Sequence, residues 1–358
     1  MRRNEREHYL QASLLVIFLA ICLPAPAFNE EAEGEKPPAA KVLSVAWKIL
    51  WHVKTGSMPK GVTLTPDQSE AWVTNFGHDR GHNISVYDAK DGKLKKQISF
   101  KGRAVELAFS PDGTRAYVSN FDTGRLMILD AKAYQQISSV KVGINPKIVT
   151  LSPSGDKIYV SNWSSNDVSV VDAASLMERG RIKVGQSPRG SALDGSGKIL
   201  FVANFEGKSL SVADTETLKE IKKLPLASLP RHVTATPDGR AVLVSNMGAN
   251  SLAVVNVESQ AVDKWIKVGR GPKAVGVTPD SKLAATADYN GNTVSIVDLE
   301  KGEVIATIPE LGKSPCGLAL ARDGKTLYVT SWYSNDLWAI ELEIGANAQA
   351  PSEEKGDQ

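Results

Sequence analysis

The segment INPKIVTLSPSGDKIYVSNWSSNDVSVVDAASLMERGRIKVG, residues 144–185, decides the fold. In three of its stretches, KIVTLS, KIYVSN and DVSVVD, apolar residues alternate with polar or small ones. This period of two, in stretches rich in Val, Ile, Thr and Tyr, indicates β-strands. RIKVG is a fourth such stretch, and Ser-Pro-Asp-Gly-type segments, as at Ser110–Gly113, make the first turn. The segment therefore predicts four short strands joined by tight turns.

The same unit recurs seven times, with a period of about 42 residues. Each unit starts at a Pro or its equivalent: Pro59, Ala104, Pro146, Pro188, Pro230, Pro272 and Pro315. A single four-stranded sheet cannot bury both of its faces, whereas a ring of such sheets does. Seven helix-free units therefore predict an all-β, seven-bladed β-propeller of four-stranded blades over residues 41–343.

The ends of this region predict how the ring closes. The seventh unit, residues 312–343, stops after its third strand. WKILWHVKTG, at Trp47–Gly56, precedes the first unit and is similar to the fourth strand RIKVG, at Arg181–Gly185. We therefore expect the N-terminal strand to complete the last blade, which removes an open sheet edge.

Several units carry a further signature. Strand two reads Trp72-Val-Thr-Asn75, Tyr117-Val-Ser-Asn120, Tyr159-Val-Ser-Asn162 and Phe201-Val-Ala-Asn204, flanked by Ser-Pro-Asp-Gly and Val-Ser-Val-Val-Asp motifs. With these motifs the chain resembles the YVTN-family seven-bladed β-propeller repeat proteins, the YncE-like and surface-layer type. The resemblance implies the propeller fold and a location outside the cytoplasm. It implies no single reaction, because propellers support many functions.

The N-terminus has the pattern of an export signal. Arg2, Arg3 and Arg6 precede a short apolar run and the small-x-small sequence that ends at Ala27. Residues 1–27 are thus predicted to be a secretory signal peptide cleaved near Ala27, which indicates a periplasmic, extracellular or cell-surface protein. An uncleaved anchor and a lipoprotein attached at Cys22 are the alternatives. Residues 28–40 are predicted to be a flexible linker and residues 344–358 a disordered tail.

Composition excludes several classes of protein. Lys plus Arg number 42 and Asp plus Glu 40, so a net charge of +2 gives no general attraction to nucleic acid or anionic membranes. Cys22 and Cys316 are the two cysteines, which excludes a disulfide framework. Haem-attachment, nucleophile-elbow and phosphate-loop motifs are absent from the sequence.

Two columns of the repeat are predicted to meet on one face of the ring. The residue after the repeat Pro is basic in five units: Lys60, Lys147, Arg189, Arg231 and Lys273, with Val105 and Cys316 in the others. The residue after strand two is aromatic in six units: Phe76, Phe121, Trp163, Phe205, Tyr289 and Trp332, with Met247 in the seventh. The functional hypothesis is a mouth that binds an anionic small molecule, an acidic protein loop or single-stranded nucleic acid. The structural alternatives are aromatics wedged between blades and solvated cations on packed stems.

The acidic or amide residue at the end of strand three has a structural interpretation. This column contains Asp88, Asp130, Asp172, Asp214, Asn256, Asp298 and Glu341. We expect it to cap the following turn through the backbone, not to catalyse a reaction.

The first blade contains three extra residues between Asn75 and Asp88. His78, Asp79 and His82 in this insertion, with His232 from the fifth blade, are candidate ligands of a divalent metal, and a solvated loop is the alternative. No other cofactor is predicted. The leading hypothesis is an exported, non-catalytic binding scaffold; the alternatives are a redox-partner or enzyme subunit of a periplasmic oxidoreductase system and a surface adhesion protein.

Overall fold

The computed structural model of the protein describes residues 42–77 and 82–347. The predicted signal peptide, the linker and most of the predicted tail lie outside the described residues. The described chain forms seven four-stranded antiparallel sheets, which confirms the predicted seven-bladed propeller. Within these residues, no helix is long and apolar enough to cross a lipid bilayer.

The strands follow one another in chain order through the blades. Blade one consists of β2 (Pro59–Leu64), β3 (Glu70–Asn75), β4 (Ile84–Asp88) and β5 (Leu94–Ile98). Blade two consists of β6 (Ala104–Phe109), β7 (Arg115–Asn120), β8 (Arg125–Asp130) and β9 (Gln135–Lys141). Blade three consists of β10 (Pro146–Leu151), β11 (Lys157–Asn162), β12 (Asp167–Asp172) and β13 (Met177–Lys183). Blade four consists of β14 (Pro188–Leu193), β15 (Ile199–Asn204), β16 (Ser209–Asp214) and β17 (Lys219–Pro225).

Blades five to seven repeat this order, and the last of them takes its outer strand from the start of the chain. Blade five consists of β18 (Pro230–Ala235), β19 (Ala241–Asn246), β20 (Ser251–Asn256) and β21 (Ala261–Lys267). Blade six consists of β22 (Pro272–Val277), β23 (Leu283–Asp288), β24 (Thr293–Asp298) and β25 (Glu303–Ile308). Blade seven consists of β26 (Pro315–Leu320), β27 (Thr326–Ser331), β28 (Asp336–Asn347) and β1 (Val42–Lys54).

The first strand of each blade lies nearest the central axis, since it contacts the first strands of both neighbouring blades. β26 contacts β2, so the ring is closed. Apolar side chains pack in seven clusters, and each cluster draws on two adjacent blades. The middle strands are therefore buried on both faces, as Ala71, Trp72 and Val73 of β3 show. The core of this protein lies between the blades.

Closure of the ring follows the predicted route. β1 pairs with β28 over its whole length, from Val42 opposite Asn347 to Lys54 opposite Asp336. β28 continues to Asn347, beyond the predicted end of the propeller at residue 343, because its last residues pair with the start of β1.

The acidic column caps the turns after strand three, as predicted. Its side-chain oxygens accept hydrogen bonds from backbone N–H groups two or three residues further on, at Asp88, Asp130, Asp172, Asp214, Asn256 and Asp298. Glu341 is the exception, because it lies inside the long strand β28 and has no turn after it to cap. It forms an ion pair with Lys48 of β1 instead.

The last residue of strand two is buried in every blade. Five blades place Asn there, blade seven places Ser331 and blade six places Asp288. Asp288 accepts hydrogen bonds from the hydroxyl groups of Thr286 and Ser295 at 2.7 and 2.6 Å. Burial nevertheless raises the pKa of this carboxyl group to about 6. An ionised carboxylate at this position therefore costs stability.

Replacing Asp288 by Asn is expected to stabilise the protein at about pH 8 by up to about 3 kcal/mol. The folded pKa lies above the unfolded value of 3.8, so the folded state binds more protons between the two values. The wild-type protein consequently loses stability as the pH rises through about 6, and the variant does not. Denaturant unfolding at about pH 8 and below about pH 4 measures the difference. An equal gain at both pH values would contradict this explanation.

Candidate functional site

A break in strand register directs the basic column toward the central axis. In blade three, Pro146 of β10 lies opposite Asn162 of β11, and the pairing resumes only at Val149. The irregularity contains Lys147, and such bulges re-aim a side chain out of the regular pleat. A register shift follows the corresponding Pro or Ala in the other six blades. One feature of the repeat thus positions the whole column.

The five basic side chains of this column line one cavity of about 40 Å³. We call them the cationic ring: Lys60, Lys147, Arg189, Arg231 and Lys273. Val105 and Cys316 complete the column around the same cavity. A wider space of about 440 Å³ adjoins it, lined by later residues of the first strands. The structure therefore brings together the basic residues that the sequence selected.

The aromatic column surrounds the cationic ring. We call it the aromatic rim: Phe76, Phe121, Trp163, Phe205, Met247, Tyr289 and Trp332, all half-buried. The backbone N–H of each residue donates a hydrogen bond to the carbonyl before the repeat Pro or Ala of its own blade. Ring centroids of neighbouring blades lie 5.5 Å apart for Phe76 and Phe121 and 5.3 Å apart for Trp163 and Phe205. The rim thus packs between blades and still leaves part of its surface open.

Most cations of the ring lie against aromatic faces. Lys147 Nζ is 4.1 Å from the ring centroid of Phe121, and Lys273 Nζ is 3.2 Å from that of Tyr289. The Arg189 guanidinium is 4.7 and 4.9 Å from the centroids of Trp163 and Phe205. Each such contact contributes roughly 0.5–2 kcal/mol, which offsets part of the cost of burying a cation. We call the cationic ring and the aromatic rim together the mouth.

The lysines of the cationic ring are buried and its two arginines are half-buried, without enough negative charge beside them to balance the ring. Lys60, Lys147 and Lys273 are only 7, 8 and 7% exposed. Among the described residues, none of the five ring cations forms an ion pair. Such an arrangement gains stability when an anion enters, because the anion supplies the missing countercharge.

Burial and mutual repulsion lower the proton affinity of the lysines. Burial, followed by repulsion from other ring cations, lowers the pKa of Lys60 to about 7 and that of Lys147 to about 5. Burial lowers the pKa of Lys273 to about 6. It also lowers the pKa of Arg189 and Arg231, but guanidinium groups keep their charge in proteins. At neutral pH the mouth therefore holds two fixed cations and three lysines poised to take up protons.

Three further residues at the mouth belong to neither the basic nor the aromatic column. Glu106 and His232 lie one position beyond the basic column and line both cavities. Burial raises the pKa of Glu106, whereas burial and the adjacent Arg231 lower the pKa of His232 to about 4. The Arg103 guanidinium lies 4.6 Å from the ring centroid of Phe76 and forms an ion pair with Asp122. The repeat pattern gives little indication of Arg103, because this cation of blade two lies two positions before Val105 and therefore outside the basic column.

The candidate metal ligands lie in different surroundings. His78 and Asp79 lie outside the described residues, so the metal site remains a prediction. His82 is exposed, and its Nδ1 lies 3.3 Å from Ser99 Oγ, whereas His232 lines the central cavities. Within residues 42–77 and 82–347, no group of three or more His, Cys, Asp or Glu side chains is arranged to hold a metal ion.

The fold and the mouth together define the class of this protein. It is a closed seven-bladed β-propeller in which basic side chains and aromatic rings lie around a central cavity. A family model described as YNCE-like beta-propeller matches residues 38–198, which confirms the resemblance that the repeat motifs indicated. The remaining blades continue the same architecture.

Known structures extend the fold comparison. A chain of Kuenenia stuttgartiensis hydrazine synthase is similar with a TM-score of 0.71 and 20% sequence identity. The match covers 83% of this chain and 97% of that chain. At this identity the similarity shows the fold alone. A search of curated proteins found no match.

Proposed function

We propose that this protein is an exported, non-catalytic binding protein whose mouth binds an anionic ligand. The observation that carries the proposal is the convergence of five basic side chains, three of them buried and two half-buried, on one cavity whose lining contains one carboxyl group, Glu106. A cluster of this kind is costly when empty and favourable when an anion occupies it. Export rests on the N-terminal sequence pattern, and a redox-partner or adhesion role remains an alternative prediction from the sequence.

The shape of the mouth favours a small ligand. The space between the five cations is only about 40 Å³, enough for a compact group such as a carboxylate or phosphate. The aromatic rim around it offers flat apolar surface for the rest of the molecule. Single-stranded nucleic acid is less well matched, because it binds grooves in which cations follow the backbone. In this chain the basic side chains of five blades surround one cavity.

Anion binding is expected to take up protons at neutral pH. At neutral pH the pKa values of about 5 and 6 leave Lys147 and Lys273 largely neutral before binding, and the pKa of about 7 leaves Lys60 partly protonated. A bound anion raises all three pKa values, so the affinity rises as the pH falls from about 8 to about 6. Titration calorimetry with inorganic phosphate measures the affinity at a fixed pH. The same experiment with sulfate, whose charge is constant over this pH range, measures the proton uptake by the protein when it is repeated in buffers of different ionisation enthalpy.

A matched variant makes this test specific. The triple variant Lys147→Ala, Arg189→Ala, Arg231→Ala is expected to lose anion binding and proton uptake together. Polyphosphate, an acidic peptide and single-stranded DNA serve as further probes of ligand class. If the wild-type protein bound none of these probes, or if the triple variant bound them equally well, the proposal would be wrong.

A further inference from the structure

Cys316 occupies the position in blade seven where five other blades place a cation. It follows Pro315, and the register of β26 and β27 is irregular from Pro315 to Leu318. The side chain lines the same cavity as the cationic ring, and it is only 4% exposed. Lys273 Nζ lies 3.6 Å from Cys316 Sγ. A thiol is thus held beside an amine inside the mouth.

A second observation, independent of the cysteine, indicates that this cavity receives an anion. Lys60 and Lys147 are more than nine-tenths buried and both line the cavity. Among the described residues neither ammonium group has an ion-pair partner, and both lie against aromatic faces instead. An anion placed here would bring its negative charge close to Cys316 as well.

We propose that Cys316 is a reactive thiol, covalently modified by small anionic electrophiles that the cationic ring concentrates in the mouth. This inference rests on the proposed function, since the same cations attract the reagent. A cysteine sulfur is nucleophilic once it has given up its proton, and the Lys273 amine lies 3.6 Å from the Cys316 sulfur. Metal cations are not the expected partners, because the ring repels them.

The step balances without any additional oxidant or reductant. Lys273, whose pKa of about 6 leaves it mainly unprotonated at neutral pH, accepts the proton of the thiol. The sulfur then forms a bond to the electrophilic atom. The leaving group departs with the electron pair of the bond that breaks. For a carboxylate-bearing alkyl iodide, an S–C bond forms, the C–I bond breaks and iodide leaves.

Iodoacetate and iodoacetamide provide the test, because they have nearly the same shape and differ in charge. The full-length protein is treated with each reagent, and peptide mass spectrometry measures the rate of alkylation at Cys316. A free small thiol treated in the same way is the reference. We expect the iodoacetate-to-iodoacetamide rate ratio at Cys316 to exceed that of the free thiol by about 10-fold or more at low salt. The excess falls as salt is added, and inorganic phosphate protects Cys316.

Two variants separate the attraction of the anionic reagent by the arginines from the acceptance of the thiol proton by Lys273. Arg189→Gln combined with Arg231→Gln is expected to return the iodoacetate-to-iodoacetamide rate ratio toward the free-thiol value. Lys273→Met is expected to slow the reaction with both reagents and to shift the pH dependence of the alkylation rate to higher pH. Cooperative unfolding of each variant verifies that it folds.

Failure of the reactive thiol and failure of the anion site give different results. If native Cys316 reacts with neither reagent while calorimetry shows phosphate binding, the thiol proposal is overturned and the anion site stands. If Cys316 reacts with the free-thiol ratio and phosphate gives no protection, charge does not direct the reaction, and the proposal is overturned together with the anion site.

Discussion

The double variant Lys60→Met, Lys147→Met is expected to melt at a higher temperature than the wild-type protein while losing most of its affinity for phosphate. Met preserves the length of the buried stem and removes the ammonium group. Replacing buried charges by apolar groups of similar volume commonly stabilises a protein by about 1–4 kcal/mol. Each lost charge-assisted hydrogen bond costs binding about 1.5–3 kcal/mol. Two such losses correspond to a fall in affinity of about 100-fold or more.

The stability gain has a defined pH dependence. Folding lowers the pKa of these lysines from 10.5 to about 7 and about 5, so the unfolded state binds more protons between those values. Wild-type stability therefore rises with pH from about 5 to about 10.5. The Met side chains do not titrate, so the gain is larger at about pH 6 than at about pH 9. Scanning calorimetry at the two pH values measures it.

A control with the same change of net charge distinguishes the ring from general electrostatics. Lys96 and Lys219 are exposed residues of the outermost strands β5 and β17. Lys96→Met with Lys219→Met should leave both melting temperature and phosphate affinity nearly unchanged. A Lys60 and Lys147 variant that is less stable than the wild type at about pH 6 would show that these amines stabilise the empty mouth.

Deleting residues 41–57 is expected to abolish cooperative folding. The deletion removes β1, which leaves one edge of β28 without a partner and exposes part of the apolar clusters on both sides of blade seven. It also removes the Lys54 carbonyl, which accepts a hydrogen bond from Tyr87 of blade one at 3.1 Å. Insoluble protein, or soluble protein without a sharp thermal transition, is the expected result.

A shorter truncation and a point variant serve as controls. A chain that begins at residue 41 retains every described strand and should unfold cooperatively. The Tyr328 hydroxyl donates a hydrogen bond to the Ala89 carbonyl across the closing interface at 2.9 Å. Tyr328→Phe should therefore cost only about 1–3 kcal/mol. A soluble 41–57 deletion variant with a single sharp transition would refute the importance of the closing strand.

The repeat explains why so much of the architecture could be predicted. The same strand pattern recurs in each blade, so one unit such as residues 144–185 defines the others. The basic and aromatic columns occupy equivalent positions in each unit. Equivalent positions in a ring lie at equivalent places around its axis, and residues of the two columns therefore contact one another as expected.

The parts of the candidate site that could not be predicted depend on residues that do not follow the repeat pattern. Glu106 and His232 occupy a column that also contains Gly and Ala, so no shared residue type marks it. Arg103 lies before the repeat position and reaches the rim only through its long side chain. The distance between Lys273 Nζ and Cys316 Sγ also cannot be derived from the sequence, because it depends on how adjacent blades pack. Function at the mouth is therefore least predictable where the blades differ.

The pairing of β1 with β28 has a consequence for how the chain can be rearranged. Val42 and Asn347 are directly opposed in this antiparallel pair, so their Cα atoms lie only about 5 Å apart. A short linker from Asn347 back to Val42 would make the described chain circular without moving any strand. New termini placed in an exposed turn of another blade would then give a circular permutant with the same contacts between blades.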